Sequence, residues 1–262
     1  MTVRKATIVS FDDWLKCPAG RYFLAWEQAQ FDAVVADLFG YHALQLGFPQ
    51  LLGLRENRIM KPGIVLEHSP SSDAGARATH LAHFDHLPFA NESVDLVALP
   101  HTLELVASPY AVLSEVERVL RPEGYIVVSG FNPASLWGLR HRMGCWFGQH
   151  CLPKETQPRA YSLVKEQLRQ LGLEIDGGRF GCYRWPSHTE KWLRYSTFME
   201  KAGDRWWPIF GASYLLLAVK HVSGIRLIGP NWDRRHVAHR LTPAANSATC
   251  GDHAACTDVS RY

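Results

Sequence analysis

The stretch from His83 to Asn132 constrains the fold more than any other part of the chain. Within it, Val94–Leu99 (VDLVAL) is an apolar run of strand length. Pro109–Leu120 then places Val112, Leu113, Val116, Val119 and Leu120 on one side of a helix. Arg121, Pro122 and Gly124 end that helix, since proline cannot continue it and glycine tolerates the cap conformation. Tyr125–Ser129 (YIVVS) is a second buried-strand run. A strand, a helix and another strand in succession predict a right-handed crossover and parallel pairing.

The rest of the chain extends the same alternation. Arg21–Phe39 carries Phe23, Leu24, Phe31, Val34, Val35 and Leu38 at helical spacing, and Gly40 is its stop. His42–Leu46 reads as a strand running through Gly47, Pro49 and Gly53 into a turn and a helix start. Gly63–Glu67 (GIVLE) is another buried strand, Ser69–Thr79 a polar loop or a weak short helix, and His80–Phe84 a further strand. Ser162–Gly172 reads as a helix, Leu173–Ile175 as the start of a strand, Trp185–Trp207 as partly helical, and Ala212–Lys220 as a strong strand. Three regions are expected: an N-terminal helical region (1–40), a main domain (41–222) with aromatic insertions near 137–151 and 185–207, and an extension (223–262). The extension, rich in small and polar residues, is expected to be disordered from about residue 242.

Composition narrows the class of function. With 262 residues, 47% of them hydrophobic, the chain can bury one sizeable core. A net charge of +3 on 20% charged residues gives no basic excess of the kind that marks nucleic-acid binders. No apolar run is long enough to span a bilayer, and the first residues lack a signal peptide's apolar core, so a cytoplasmic location is expected. The six cysteines form no CxxC pair and are expected to be free thiols. Cys250, His253 and Cys256 lack a fourth ligand, so no metal site is expected.

The pieces Leu87, Pro88, Phe89, Ser93, Val94 and Asp95, followed by Glu115, Arg118, Val119, Leu120, Arg121, Pro122 and Gly124, form a more specific pattern. It resembles the middle of the class I S-adenosylmethionine-dependent methyltransferases, in particular the type-11-like group. Weaker agreement runs from about Tyr41 to Lys220. The resemblance implies a doubly wound, mostly parallel seven-stranded sheet with helices on both faces. It also implies S-adenosylmethionine as cofactor and a small-molecule methyl acceptor.

In such a sheet, ligands bind beyond the carboxyl ends of the strands, where strand order switches. Candidate cofactor residues are therefore Gln45, Gly47, Glu67, Asp85, Leu87 and His101. Glu67 lies twenty residues beyond Gly47, the spacing at which an acid meets ribose hydroxyls. The family's first strand ends in an acid and a glycine-rich loop. Here Gln45 stands at the acid's place, only Gly47 remains of the glycines, and Phe48 and Pro49 add bulk. His101, just past the fourth strand, is the candidate catalytic base, with Glu104 second; the alternative is that His101 caps a turn or packs. Asn132 either lines the acceptor pocket or shapes a turn. Trp137, Trp146, Phe147, Trp185, Trp192, Trp206 and Trp207 make a lid over an apolar or aromatic acceptor, or else ordinary core and surface. Two functions stand: a methyltransferase of small, apolar or aromatic molecules, and a binding or regulatory protein that keeps the fold without turnover.

Overall fold

The computed structural model describes residues 11–59, 61–67, 79–146, 152–153, 156–185 and 195–221. The chain divides into Met1–Val222 and Ser223–Tyr262. The second unit lies outside the described residues, and with it the expected tail and the Cys250, His253 and Cys256 group.

Seven strands form one sheet: β1 (His42–Leu46), β2 (Lys61–Leu66), β3 (His80–Leu81), β4 (Val94–Pro100), β5 (Leu120–Phe131), β6 (Leu173–Gly181) and β7 (Ser213–Lys220). Their order is β3-β2-β1-β4-β5-β7-β6. The first five pair in parallel, while β7 runs antiparallel between β5 and β6. This is the doubly wound, mostly parallel seven-stranded sheet that the family resemblance implies.

The helices are α1 (Phe11–Leu15), α2 (Pro18–Val35), α3 (Thr102–Leu105), α4 (Pro109–Val119), α5 (Leu136–Trp146), α6 (Tyr161–Gln170) and α7 (Thr197–Trp206). One face of the sheet buries α1 and α2 through Phe11, Trp14, Phe23 and Phe31. The other buries α4 and α6 through Val112, Leu113, Val116, Val164 and Leu168. Both faces of β4 are covered, so from Leu96 onward its run is continuously apolar rather than alternating.

The motif residues hold the sheet together in identifiable ways. Asp95 accepts the N–H groups of Tyr41 and His42 at 2.8 and 3.0 Å and pairs with Arg121. Partial burial works against that carboxylate, yet the two N–H groups and Arg121 hold it below its ordinary pKa. Glu115 accepts the Leu87 N–H at 2.8 Å, and Arg118 binds Glu115 and the carbonyls of Leu87 and Phe89. The Leu-Pro-Phe turn is thus pinned from α4.

Several boundaries differ from expectation. Helix α2 begins earlier, because Pro18 opens it and the Cys17 sulfur accepts the Gly20 N–H. No helix follows β1. Gln28 exchanges hydrogen bonds with the Leu52 backbone, and the Asn57 side chain donates to Val35 and Leu38, so side-chain amides fix residues 47–59 as a loop on α2. Strand β3 is only two residues long, and β6 runs on to Gly181. Among the described residues, no helix is long and apolar enough to cross a membrane.

Candidate active site

Beyond the carboxyl ends of β1, β2 and β4 lies the point where strand order switches, the place where open α/β sheets receive ligands. The backbone there is unusual. Gly47, Phe48 and His101 all have positive φ, at 73°, 46° and 52°. At Gly47 an added Cβ would sit 3.5 Å from the Phe84 ring and Thr102 Oγ1, so it is the left-handed φ, rather than crowding, that favours glycine.

Gln45 points into the turn that follows its own strand. Its Nε2 donates to the carbonyls of Gly47, Phe48 and Leu51 at 3.2, 2.9 and 2.8 Å, and its Oε1 accepts the Gly53 N–H at 3.0 Å. The amide is buried and spent on the loop. Phe48 turns inward, packing edge-on against Phe11 at 4.8 Å and against His101 at 5.6 Å.

His101 is wholly buried. Its Nδ1 lies 2.8 Å from Glu104, and its Nε2 lies 3.1 Å from Glu27 of α2. Ser129 of β5 donates its hydroxyl to Glu27, and the Phe131 N–H donates to Glu104. The rings of Phe11, Phe23, Phe48 and Phe131 enclose the imidazole. Burial disfavours the imidazolium, but Glu27 and Glu104 outweigh it and push its pKa up to about 10. Burial also pushes the Glu104 carboxyl up, with His101 pulling in the other direction. His101 is therefore a cation locked between two carboxyls, with both nitrogens occupied. Gly130 admits this arrangement, since a Cβ there would lie 2.9 Å from Glu104 Oε1 and 2.7 Å from the Tyr214 hydroxyl.

The remaining candidates separate by exposure. Glu67, directly after β2, keeps its carboxylate half-open at 3.3 Å from His83 Nδ1, and Asp85 is exposed nearby in sequence. Leu87 packs into the α4 core. Asn132 donates to the carbonyls of Ile209 and Gly211 at 2.7 and 3.1 Å and accepts the Ala134 N–H, tying the end of β5 to the turn before β7. Glu27 escaped the sequence reading. Its signal was present: Phe23, Glu27, Phe31 and Val35 follow one another at i+4, which sets a carboxylate in an otherwise apolar line of α2.

Residues 64–128 match a methyltransferase domain family. Over 193 residues the chain is 30% identical to YafS of Escherichia coli K12, a protein described as uncharacterized, covering 71% of this chain and 75% of that protein. The fold is similar to a solved S-adenosylmethionine-dependent methyltransferase of Thermotoga maritima, a possible histamine N-methyltransferase. There the TM-score is 0.55 at 17% identity, covering 76% of this chain and 93% of that one. It is also similar to geranyl diphosphate C-methyltransferase of Streptomyces coelicolor A3(2), with a TM-score of 0.52 at 16% identity, covering 80% of this chain and 84% of that one. This chain belongs to the class I S-adenosylmethionine-dependent methyltransferases.

The family's cofactor is S-adenosylmethionine, and the described residues fit its two ends unequally. Glu67, the residue expected at the ribose, has an accessible carboxylate. At the methionine end, the side chain in the acid's position is Gln45, and both ends of its amide already serve the loop.

A hollow opens just past β5. It has a volume of about 530 Å³ and is lined by Ser135, Leu136 and Leu139 of the α5 segment, Phe198 and Ala202 of α7, and Phe210. Trp137 belongs to the core instead of this hollow: it is 1% exposed, donates its indole N–H to the Arg184 carbonyl at 2.6 Å, and stacks toward Trp14 and Phe23. Trp185, Trp206 and Trp207 are exposed, whereas Phe147 and Trp192 lie outside the described residues.

Proposed function

We propose that this methyltransferase acts on a small, apolar or aromatic acceptor held in the hollow between α5 and α7. The observation that carries the reading is the hollow's lining, which is almost wholly apolar and of ligand-sized volume, beside the carboxyl end of β5. The geranyl diphosphate C-methyltransferase, whose fold is similar, takes an acceptor with an apolar chain.

When bound, S-adenosylmethionine supplies a methyl group on a positively charged sulfur. The chain's own residues position and exclude water. Glu67 would accept hydrogen bonds from the ribose hydroxyls, and Asp85 would meet the adenosine side. His101 acts as a positioning residue: its contacts with Glu104 and Glu27 tie α3, just past β4, to the middle of α2, and Glu27 in turn takes the Ser129 hydroxyl of β5.

Isothermal titration calorimetry with S-adenosylmethionine tests the cofactor assignment. Glu67→Ala should weaken binding about tenfold to a hundredfold, the worth of hydrogen bonds to a charged group. An unchanged affinity removes Glu67 from the site.

One observation favours a second reading, that of a binding or regulatory protein without turnover. Gln45 stands where the family carries an acid, and both ends of its amide serve the loop instead of a ligand. Tight cofactor binding with no methyl transfer to any of a panel of prenyl, phenolic and heteroaromatic acceptors supports that second reading and ends the first.

A further inference from the structure

We propose that the face built by α5, α7 and the turn at Pro208–Phe210 docks on an anionic lipid bilayer. The inference stands apart from the identity of the methyl acceptor.

The first ground is an apolar surface left in solvent. Phe198 and Trp206 are each 70% exposed, and Trp207, Ile209, Phe210 and Met143 are all more than half exposed. Leu136, Leu139 and Met143 recur at helical spacing and form one outward stripe on α5. Large exposed apolar patches mark interaction sites rather than ordinary surface. Adjacent tryptophans at a helix end, with phenylalanine beside them, suit the headgroup region, where an amphipathic ring has one side dry and the other wet.

The second ground is how charge is sorted around this patch. On α5, Arg140 and Arg142 flank the Leu136, Leu139 and Met143 stripe at adjoining helical angles. Arg140 lies 5.8 Å over the Trp185 ring. From Gly124 to Lys154 the sequence carries no Asp or Glu at all. On α7, Phe198 and Arg205 are seven residues apart and share a face. The acids of α7 turn elsewhere: Glu200 binds Tyr22 and pairs with Arg184, and Asp204 lines a separate hollow with Glu200, Trp26 and Gln30. The patch therefore presents arginine around aromatic side chains with its acids facing away. That combination matches a negatively charged lipid surface better than a second copy of the same basic face.

Sedimentation of the full chain with sucrose-loaded vesicles tests this. Vesicles of phosphatidylcholine and phosphatidylglycerol should carry the protein down, and pure phosphatidylcholine should carry far less. High salt should release it. Arg142→Glu with Arg205→Glu should weaken binding at least about tenfold, while the double change to Lys should keep it. Phe198→Ser with Trp206→Ser should weaken it by a similar factor, about tenfold or more. These side chains face solvent, so unchanged near-ultraviolet circular dichroism separates loss of docking from loss of fold. Failure to sediment with anionic vesicles overturns the proposal, as does equal binding by the charge-reversed variant. A dimer in sedimentation velocity that Phe198→Ser with Trp206→Ser abolishes, without vesicle binding, assigns the face to a second copy and also overturns it.

Discussion

Replacing His101 with alanine should lower the free energy of unfolding by about 3–5 kcal/mol, the cost of breaking a buried ion pair by removing one partner. In a domain of this size that corresponds to a fall in melting temperature of about 6–20 °C. The reason lies in what remains behind. Glu27 and Glu104 are both buried, and without the imidazolium they face each other with only the Ser129 hydroxyl and the Phe131 N–H as compensation. Phe23, Phe48 and Phe131 would also border a cavity.

The same cluster sets a pH dependence. His101 has a folded pKa raised to about 10, above its ordinary 6.5, so its contribution is fully present below pH 6.5 and is lost as pH climbs toward 10. The Glu104 carboxyl is also raised, so its contribution likewise declines with rising pH. Stability measured by urea unfolding should therefore fall between neutral and alkaline pH in the wild type and be flatter in His101→Ala. A His101→Ala protein within 1 kcal/mol of wild type, or one with the same alkaline slope, would remove the cluster from this role.

The middle of the chain was legible because local and global preferences agree there. In α4 the buried Val112, Leu113, Val116 and Val119 match the helical period, and Pro109 sits where a helix tolerates it. From Leu96 onward strand β4 is apolar on both faces because helices cover both. The parts that escaped depend on distant partners. Helix α1 is five residues long and owes its place to ring contacts of Phe11 and Trp14 with Phe48, Phe131 and Trp137. Among its described side chains, helix α5 has no strongly apolar face toward the core, since its stripe faces solvent while Trp137 anchors it deeply. The expected helix after β1 is replaced by a loop, because amides from α2 and β1 satisfy its backbone in ways no periodicity reports. At the site, proximity in sequence brought His101 and Glu104 to notice together. Glu27 is 74 residues away from His101, and only the sheet's topology brings it there.

Gln45→Leu should cost about 3 kcal/mol, because it strips four hydrogen bonds from one buried turn. Leucine fills much of the volume, so the loss falls on polar groups rather than on packing. The Gly47 and Leu51 carbonyls and the Gly53 N–H would lose this partner, while the Phe48 carbonyl keeps the Leu51 N–H at 3.3 Å, and water entering the turn would recover only part of the loss. Gln45→Glu is the sharper test, since it restores the acid that the family carries at this position. The carboxylate keeps an acceptor for the Gly53 N–H but turns a negative oxygen toward the carbonyls of Gly47, Phe48 and Leu51. It should destabilise the fold at least as much as leucine at neutral pH, and less at acid pH, where a protonated carboxyl can donate one hydrogen bond. Urea unfolding at both pH values measures this, with calorimetry against S-adenosylmethionine run in parallel. If Gln45→Glu folds as stably as wild type and binds the cofactor more tightly, the side chain is a cofactor contact and its place in the loop is incidental. If it unfolds as described, this chain has turned the acid's position into a clamp for the turn itself.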